Sequence, residues 1–459
     1  MHAGIERTYK VLMTGFLATM LLSSITPASA LEIETISRRD LVIDLGNGLT
    51  TDAQLTFPAV GDGPFPGVLI IHGTGSVDMD GYLPEEATGI GEPVRHYLII
   101  AEYLSERGFA VLRYNKRGVG LKGFTLDRDV VLNKTVQDLI QDAEKALKAL
   151  IQQNEVAPKD ITLIGRSEGS TIAPIVAIQN PEVKNIVLMG SGAHNLYDIL
   201  YYQVVERNIP MFESIDTDLD GLTSIQEIQE LHPTIAHQMI ENSTGEWLWK
   251  PGFDLNEDGY FNVTEEIQPR WDQFFDYLNK TEFQGKWYQS HFALDSNLDI
   301  IGNVSASILI LHGEEDQQGP VSEAFLLEQR LTDVGHPDHT LITYPGLGHT
   351  YYPVDRWLQL YGPPEEYVLS DLVTWIKEPQ RDIRIIENQL QNASSTISAL
   401  ESQVDELNSG FEQQMNELQY QVEELRLALA SSRNISYITL GIAAIALLAA
   451  IFTYQKRVS

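Results

Sequence analysis

Ser167 lies in the run Thr162-Leu163-Ile164-Gly165-Arg166-Ser167-Glu168-Gly169. An apolar strand-like stretch enters Gly-x-Ser-x-Gly and a helix-compatible segment, 170–179, follows, the setting of a nucleophile elbow. In so tight a turn only small residues fit beside the serine. The hydroxyl then stands clear of the sheet, and the amide of Glu168 points at the same spot. A serine hydroxyl needs a base to become a nucleophile. Two partners follow in the order Ser, Asp, His. The strand-like run 307–311 ends in His312-Gly313-Glu314-Glu315-Asp316, and the run 340–344 ends in Pro345-Gly346-Leu347-Gly348-His349. His349 would take the serine proton, while Asp316 would hold the imidazole tautomer and stabilise the imidazolium. Asp295, Asp299, His336 and His339 compete for these roles, but they precede the strands instead of following them. A further apolar run, 66–71, leaves through His72-Gly73-Thr74-Gly75. The backbone amides of Gly73, Thr74 and Glu168 would form an oxyanion hole. Each residue also has an ordinary reading: a helix N-cap, a turn aspartate, a loop histidine, a glycine-rich strand exit. Their shared order and strand-end placement weigh toward chemistry.

A second chemical signal lies between the two halves of this pattern. Asp216-Thr217-Asp218-Leu219-Asp220-Gly221-Leu222-Thr223-Ser224-Ile225-Gln226-Glu227 fits the twelve-residue EF-hand loop. Side-chain oxygens fall at Asp216, Asp218, Asp220 and Ser224, a backbone carbonyl at Leu222, and Glu227 closes the loop. The second loop starts at Asp254 and offers Asn256, Asp258, Tyr260 (carbonyl), Asn262 and Glu265, with Gly259 at the sharp turn. One acidic turn is commonplace; two in one insertion point to two Ca2+ sites. Pro251 and Gly252 argue against a regular helix entering the second loop. Calcium is plentiful outside cells, so a structural role in shaping the insertion is expected.

Elements that must position these residues can be read along the chain. Residues 41–44 and 53–57 suggest a hairpin around Asn47-Gly48. Apolar strands ending at Ile71, Tyr114, Arg166 and Met189 alternate with helices over 96–107 and 135–152, which implies a mostly parallel sheet with helices on both faces. The alternation stops between about His194 and Asn303, where a lid-like insertion emerges that holds Trp247, Trp249, Trp271 and Trp287. It resumes with the Asp316 strand, a helix over 322–332, the His349 strand and a helix over 366–377. The expected architecture is therefore an α/β core in two parts, 31–194 and 303–379, interrupted by a lid at 195–302.

The chain has 459 residues, more than one ordinary domain requires. It contains no cysteine, so disulfides and thiolate metal sites are excluded. Asp and Glu total 64 against 31 Lys and Arg, a formal charge of -33. Nucleic acid is not an expected partner, because phosphate binding requires cationic patches. Residues 1–30, with Arg7 and Lys10, an apolar run and Ala28-Ser29-Ala30, read as a secretory signal peptide. Residues 436–454 are uncharged and rich in Ile, Ala and Leu, long enough to span a bilayer core, and Lys456 and Arg457 follow. The positive residues place 455–459 in the cytoplasm and the bulk of the chain outside. Asn-x-Ser/Thr sequons such as those at Asn133, Asn242, Asn279 and Asn392 are compatible with that side.

From Ile383 the pattern changes once more. Ile386, Leu390, Ala393, Ile397, Leu400, Val404, Leu407 and Phe411 follow at alternating three-four spacing, a heptad seam. Met415, Leu418, Val422, Leu425 and Leu429 continue it after a stutter near Gly410 that locally unwinds a supercoil. Residues 380–433 are expected to form a coiled-coil stalk on the order of 70 Å long, which needs partner helices and so predicts a homo-oligomer. A lone amphipathic helix is the alternative.

His72-Gly73-Thr74-Gly75-Ser76-Val77-Asp78, Leu112-Arg113-Tyr114-Asn115-Lys116-Arg117-Gly118-Val119-Gly120 and Gly165-Arg166-Ser167-Glu168-Gly169 resemble the α/β-hydrolase superfamily, in particular secreted esterase-like members related to the dienelactone hydrolase and serine aminopeptidase branches. The resemblance runs from about Leu41 to Lys377, apart from the EF-hand part of the lid. Relatives usually carry histidine at Arg166, glycine at Ser170 and aspartate at Asn115; none of these departures removes a triad residue. The resemblance implies hydrolysis of an ester, thioester or amide through an acyl-enzyme without an organic cofactor, and it leaves the substrate open. The expected function is a membrane-tethered extracellular carboxylic-ester hydrolase acting on a small acyl ester. A peptidase or acyltransferase on the same scaffold is the nearest alternative, and a non-catalytic, calcium-dependent surface interaction protein is the alternative of a different class.

Overall fold

A computed structural model describes residues 35–231, 233–243, 245–280, 285–354, 358, 360–378, 381–431 and 443–451. The expected signal peptide and most of 436–454 lie outside the described residues. Residues Met1–Arg381 and Asp382–Ser459 form two separate compact units.

In the first unit, β1 (Ile36–Gly46) and β2 (Leu49–Pro58) make the expected antiparallel hairpin. Its two-residue turn requires positive φ at both central positions, and Asn47 and Gly48 adopt 54° and 78°. Six more strands complete the sheet: β3 (Phe65–Ile71), β4 (Ala110–Tyr114), β5 (Val156–Arg166), β6 (Asn185–Met189), β7 (Ser307–Gly313) and β8 (His339–Tyr344). Their spatial order is β1-β2-β4-β3-β5-β6-β7-β8. β2 runs antiparallel to β4, and every pairing from β4 to β8 is parallel. β4, β6 and β7 are buried at every residue, as strands covered on both faces must be.

Successive residues of one strand serve two cores. Leu69 and Ile71 pack with Leu139, Leu147, Ile172 and Leu327, whereas Val68 and Ile70 pack with Ile100, Leu104, Val368 and Leu372. The second of these faces is covered by α1 (His96–Glu106) and α5 (Glu366–Lys377). The first is covered by α2 (Val136–Ile151), α3 (Glu168–Gln179) and α4 (Val321–Asp333). A capping box between Thr135 and Asp138 starts α2, one residue inside the limit read from sequence. Parallel strands place their C-terminal ends along one edge, so the loops after Ile71, Arg166, Met189, Gly313 and Tyr344 converge there.

The insertion between β6 and β7, expected to be a lid, has its own apolar core, including Met211, Phe212, Ile228, Phe253, Phe261 and Trp271. One helix runs Arg381–Ser431, uninterrupted at Gly410, and all of it after Arg381 belongs to the second unit. Seam residues Ile397, Leu400, Val404, Leu407, Met415, Leu418, Val422 and Leu425 are exposed in the single chain. Among the described residues no helix is long and apolar enough to cross a membrane; of the expected span, 443–451 is helical.

Candidate active site

Ser167 occupies the turn between β5 and α3 with φ 53° and ψ -119°, a region L-residues rarely enter. The residues two positions to either side of it must lack side chains. A Cβ at Gly165 would lie 2.2 Å from the Gly169 carbonyl oxygen, and a Cβ at Gly169 would lie 2.2 Å from that of Ile71. The turn is held from below: Ser167 N donates to the Met189 carbonyl (2.9 Å), and both the amide and the hydroxyl of Ser170 donate to the Ser167 carbonyl (2.8 and 2.6 Å). Serine in place of glycine at 170 thus adds a hydrogen bond beneath the elbow. Arg166, the other departure at the elbow, donates from Nη2 to the His349 carbonyl (2.9 Å) and links it to the histidine loop.

His349 Nδ1 lies 2.7 Å from Asp316 Oδ2. An ionised carboxylate only accepts, so Nδ1 carries the proton and Nε2 keeps its lone pair. Asp316 Oδ1 accepts from the amides of Gln318 (2.7 Å) and Gly319 (3.2 Å). Burial disfavours charge on Asp316, but His349, then His312 and the Gln318 amide outweigh it and hold the carboxyl below its ordinary range. Gly190, at the end of β6 with φ 63°, leaves room for the ring: a Cβ there would sit 3.0 Å from His349 Cε1. Ser167 and His349 line one cavity of about 370 Å³ together with Thr74, Glu168, Leu196 and Trp287. No hydrogen bond joins Ser167 Oγ to His349 among the described residues, and such contacts often tighten only around substrate. The competing groups lie elsewhere or serve elsewhere. Asp299 caps the Ser296 amide, His336 faces the Val304 carbonyl and His339 faces Glu328. Asp295 lines the cavity, but Asp316 is the carboxylate on His349.

The expected oxyanion hole needs one correction. The Gly73 amide donates to the Tyr97 hydroxyl at 2.8 Å, so it is already engaged. Gly73 nonetheless approaches the serine closely, since a Cβ on it would be 3.2 Å from Ser167 Cβ. Of the three residues expected to supply oxyanion amides, Thr74 and Glu168 line the cavity.

Sequence reasoning used only the backbone of Glu168; its side chain organises the site. Its Oε2 pairs with Lys116 Nζ at 2.5 Å, and its Oε1 accepts from Trp287 Nε1 (2.5 Å) and faces His291 Nε2 (2.7 Å). Lys116 Nζ also donates to the Gly73 carbonyl at 2.7 Å. Trp287 and His291 belong to the lid helix Gly285–Phe292, so one carboxylate joins elbow, β4 exit and lid. Burial opposes its ionisation, yet Lys116 and His291 bring the carboxyl down to about 2. An unfolded glutamate titrates near ~4.3. With the folded value lower, this group's stabilisation is complete above about pH 4.3 and is lost as pH falls toward about 2. Glu168→Gln should therefore flatten the Tm-versus-pH curve in that window, and equal slopes for both proteins would refute the assignment.

The two lid loops adopt one local structure. The amides of Asp220 and Gly221 turn onto Asp216, and those of Asp258 and Gly259 onto Asp254 in the same way. Gly221 and Gly259 have φ 85° and 91°. The loops pair antiparallel, Tyr260 with Ser224 and Phe261 with Thr223, so their eighth positions face each other. Oxygens of Asp216, Asp218 and Glu227 lie within 4.8 Å of one another. The Asp220 amide favours charge on Asp218, but the carboxylates of Asp220, Glu227 and Asp216 outweigh it and keep Asp218 above its ordinary range. The first loop is flanked by helices Asn208–Ile215 and Ile225–Gln229, whereas the second is entered from a hairpin, Ile240–Ser243 with Glu246–Trp249. At the closing position the second loop departs from the sequence reading. Glu227 binds the amides of Thr217 and Ser224; in the second loop Glu266, not Glu265, binds the matching amides of Leu255 and Asn262. Glu265 is exposed and Glu266 buried. The helix Val263–Lys280 begins so that the inward direction falls one residue later than the twelve-residue count allows.

Residues 87–213 match the family described as Serine aminopeptidase, S33, and residues 255–362 match the Prolyl oligopeptidase family. Esterase EstD of Thermotoga maritima is 30% identical over 171 residues, which cover 37% of this chain and 36% of that esterase. The chain thus matches about a third of that relative's length. Among solved structures, an α/β hydrolase, GrgF, from a Penicillium species is similar at 16% identity and TM-score 0.43 over 74% of this chain and 98% of its own. Acylaminoacyl peptidase of Pyrococcus horikoshii is similar at 14% identity and TM-score 0.41 over 70% of this chain and 38% of its own. The first of these matches contains the serine-bearing turn and the second contains Asp316 and His349, so the parts of the chain that carry the three candidate residues are each similar to a hydrolase family.

Proposed function

We propose that the protein is a membrane-tethered extracellular carboxylic-ester hydrolase that works through an acyl-enzyme under a calcium-shaped lid. The observation that carries this reading is the 2.7 Å contact between His349 Nδ1 and Asp316 Oδ2 beside a serine held at positive φ. In the first step Ser167 Oγ attacks the acyl carbon and its proton passes to His349 Nε2. The oxyanion that forms is held by the amides of Thr74 and Glu168. Collapse breaks the ester C–O bond, and the alcohol leaves with the proton from His349. Water then attacks the acyl-enzyme with His349 as base, releasing the carboxylic acid and restoring the serine. Covalent labelling of the folded protein by a fluorophosphonate tests this directly, and absence of labelling would overturn it. The two peptidase family matches favour amide hydrolysis as the second reading. Turnover of short acyl esters against aminoacyl amides separates the two.

The lid loops would hold two Ca2+ ions, through Asp216, Asp218, Asp220, Leu222, Ser224 and Glu227, and through Asp254, Asn256, Asp258, Tyr260, Asn262 and Glu266. Calcium supplies charge neutralisation among these clustered acids. Saturation at a hundredfold over Kd would stabilise the lid by about 2.7 kcal/mol. A chelator should therefore lower Tm. Glu266→Gln should remove part of the calcium response while Glu265→Gln leaves it in place, and a Tm indifferent to calcium would sink the idea. Residues 436–454 anchor the chain and the heptad seam of 380–433 joins copies of it; both proposals rest on the sequence pattern and the exposed seam. Light scattering in detergent should give a multiple of the chain mass, and a monomer would count against the stalk.

A further inference from the structure

A second cavity of about 230 Å³ lies in the lid, and two arginines, Arg207 and Arg270, line it. Both are part-buried, in a chain of net charge -33 where carboxylates outnumber cations two to one. Neither forms an ion pair among the described residues. Arg207 Nε is buried without a hydrogen-bond partner. Arg270 stacks its guanidinium over the Phe253 ring at 3.6 Å, which holds the cation in place. Desolvated, unpaired guanidinium groups are costly, and two facing one cavity form a site that an anion completes. Burial alone brings Arg270 down to about 10 and likewise lowers Arg207.

The cavity adjoins the catalytic one. Gln203 lines both, and its Nε2 donates to the Gln318 carbonyl at 2.6 Å, two residues past Asp316. Arg207 is near enough to Asp316 to feel its charge, with the phenols of Tyr202 and Tyr361 also facing it. That carboxylate is already committed to His349 and two amides, so it does not neutralise Arg207. The wall between the cavities is a π-helical turn, Tyr202–Glu206, an irregularity common at functional sites. Asn208 Nδ2 donates to the Gln203 and Val204 carbonyls (3.0 and 2.8 Å) and stabilises it.

We infer that Arg207 and Arg270 form an anion subsite, and that the substrate is an acyl ester carrying a carboxylate remote from the scissile bond. The inference rests on the ester-hydrolase reading for its chemistry but not for its binding. The test compares p-nitrophenyl monoesters of dicarboxylic acids, glutarate to suberate, with neutral acyl esters of equal length. The wild-type protein should prefer one of the anionic series. Arg207→Gln and Arg270→Gln should each reduce the anionic-to-neutral ratio of kcat/KM by about 10- to 100-fold, the worth of a charge-assisted hydrogen bond. Arg270→Lys, which keeps the charge, should retain part of the preference. An unchanged ratio in folded variants would overturn the subsite while leaving the hydrolase intact. If instead no ester is cleaved and no fluorophosphonate is incorporated, the hydrolase reading fails separately. Calorimetry with glutarate through suberate on the Ser167→Ala protein then decides. Binding that is lost in Arg207→Gln supports the subsite. Absent binding, or binding that survives both glutamine substitutions, overturns it.

Discussion

Replacing Ser167 by alanine is expected to lower kcat by about a million-fold, and His349→Ala by a similar factor, with no further loss when the two are combined. A triad acts as a unit, because an unactivated hydroxyl and a base without a proton to take are equally inert. Asp316→Asn should cost about 10⁴-fold. Its amide would present either a donor or a single acceptor to His349 Nδ1, where the carboxylate now accepts at 2.7 Å, and it would no longer stabilise an imidazolium. Single-turnover kinetics on a p-nitrophenyl ester measure all four proteins. Retention of a hundredth of wild-type activity in Ser167→Ala would place the chemistry elsewhere.

Removal of the Lys116 ammonium by Lys116→Met should be the most destabilising single change near the site, by about 3–5 kcal/mol. Lys116 and Glu168 are 3% and 2% exposed, and the substitution strands a carboxylate away from water. Trp287 and His291 still reach Glu168, but the ammonium is the largest influence favouring its charge and also ties down the Gly73 carbonyl. The double variant Lys116→Met/Glu168→Gln should recover much of the loss, since no buried charge then remains. Urea melts of the wild type, Lys116→Met, Glu168→Gln and the double variant give the coupling directly. A cost for Lys116→Met below about 1 kcal/mol would mean that water reaches the pair.

The three residues read as a candidate triad were legible as a group because each sits where an apolar run stops. A strand's period and its glycine-rich exit are local signals, and Ser167, Asp316 and His349 all carry them. The hairpin was legible for the same reason, since Asn47-Gly48 suits only a few turns. Contacts made between distant segments left no such mark. Lys116, Trp287 and His291 reach Glu168 across separations of 52, 119 and 123 residues, and no periodicity in any one segment announces the meeting. The engagement of the Gly73 amide by Tyr97 is equally non-local. The Glu265 reading failed by one residue because a motif counts positions, whereas the onset of the following helix decides which carboxylate turns inward. Arg207 and Arg270 look like ordinary surface cations until the lid folds their segments around one cavity.

The handshake between Glu168 and the lid helix Gly285–Phe292 bears on how substrate enters. A cover bolted to the residue beside the nucleophile cannot swing away as one flap without unmaking the oxyanion support. With that helix held in place, an opening of the proposed lid would fall to the rest of the insertion, which carries the acidic loops. On the proposed reading, whatever stiffens those loops would then govern access, and hydrogen exchange should show slow amides at Trp287 and His291 beside faster ones around Asp216 and Asp254.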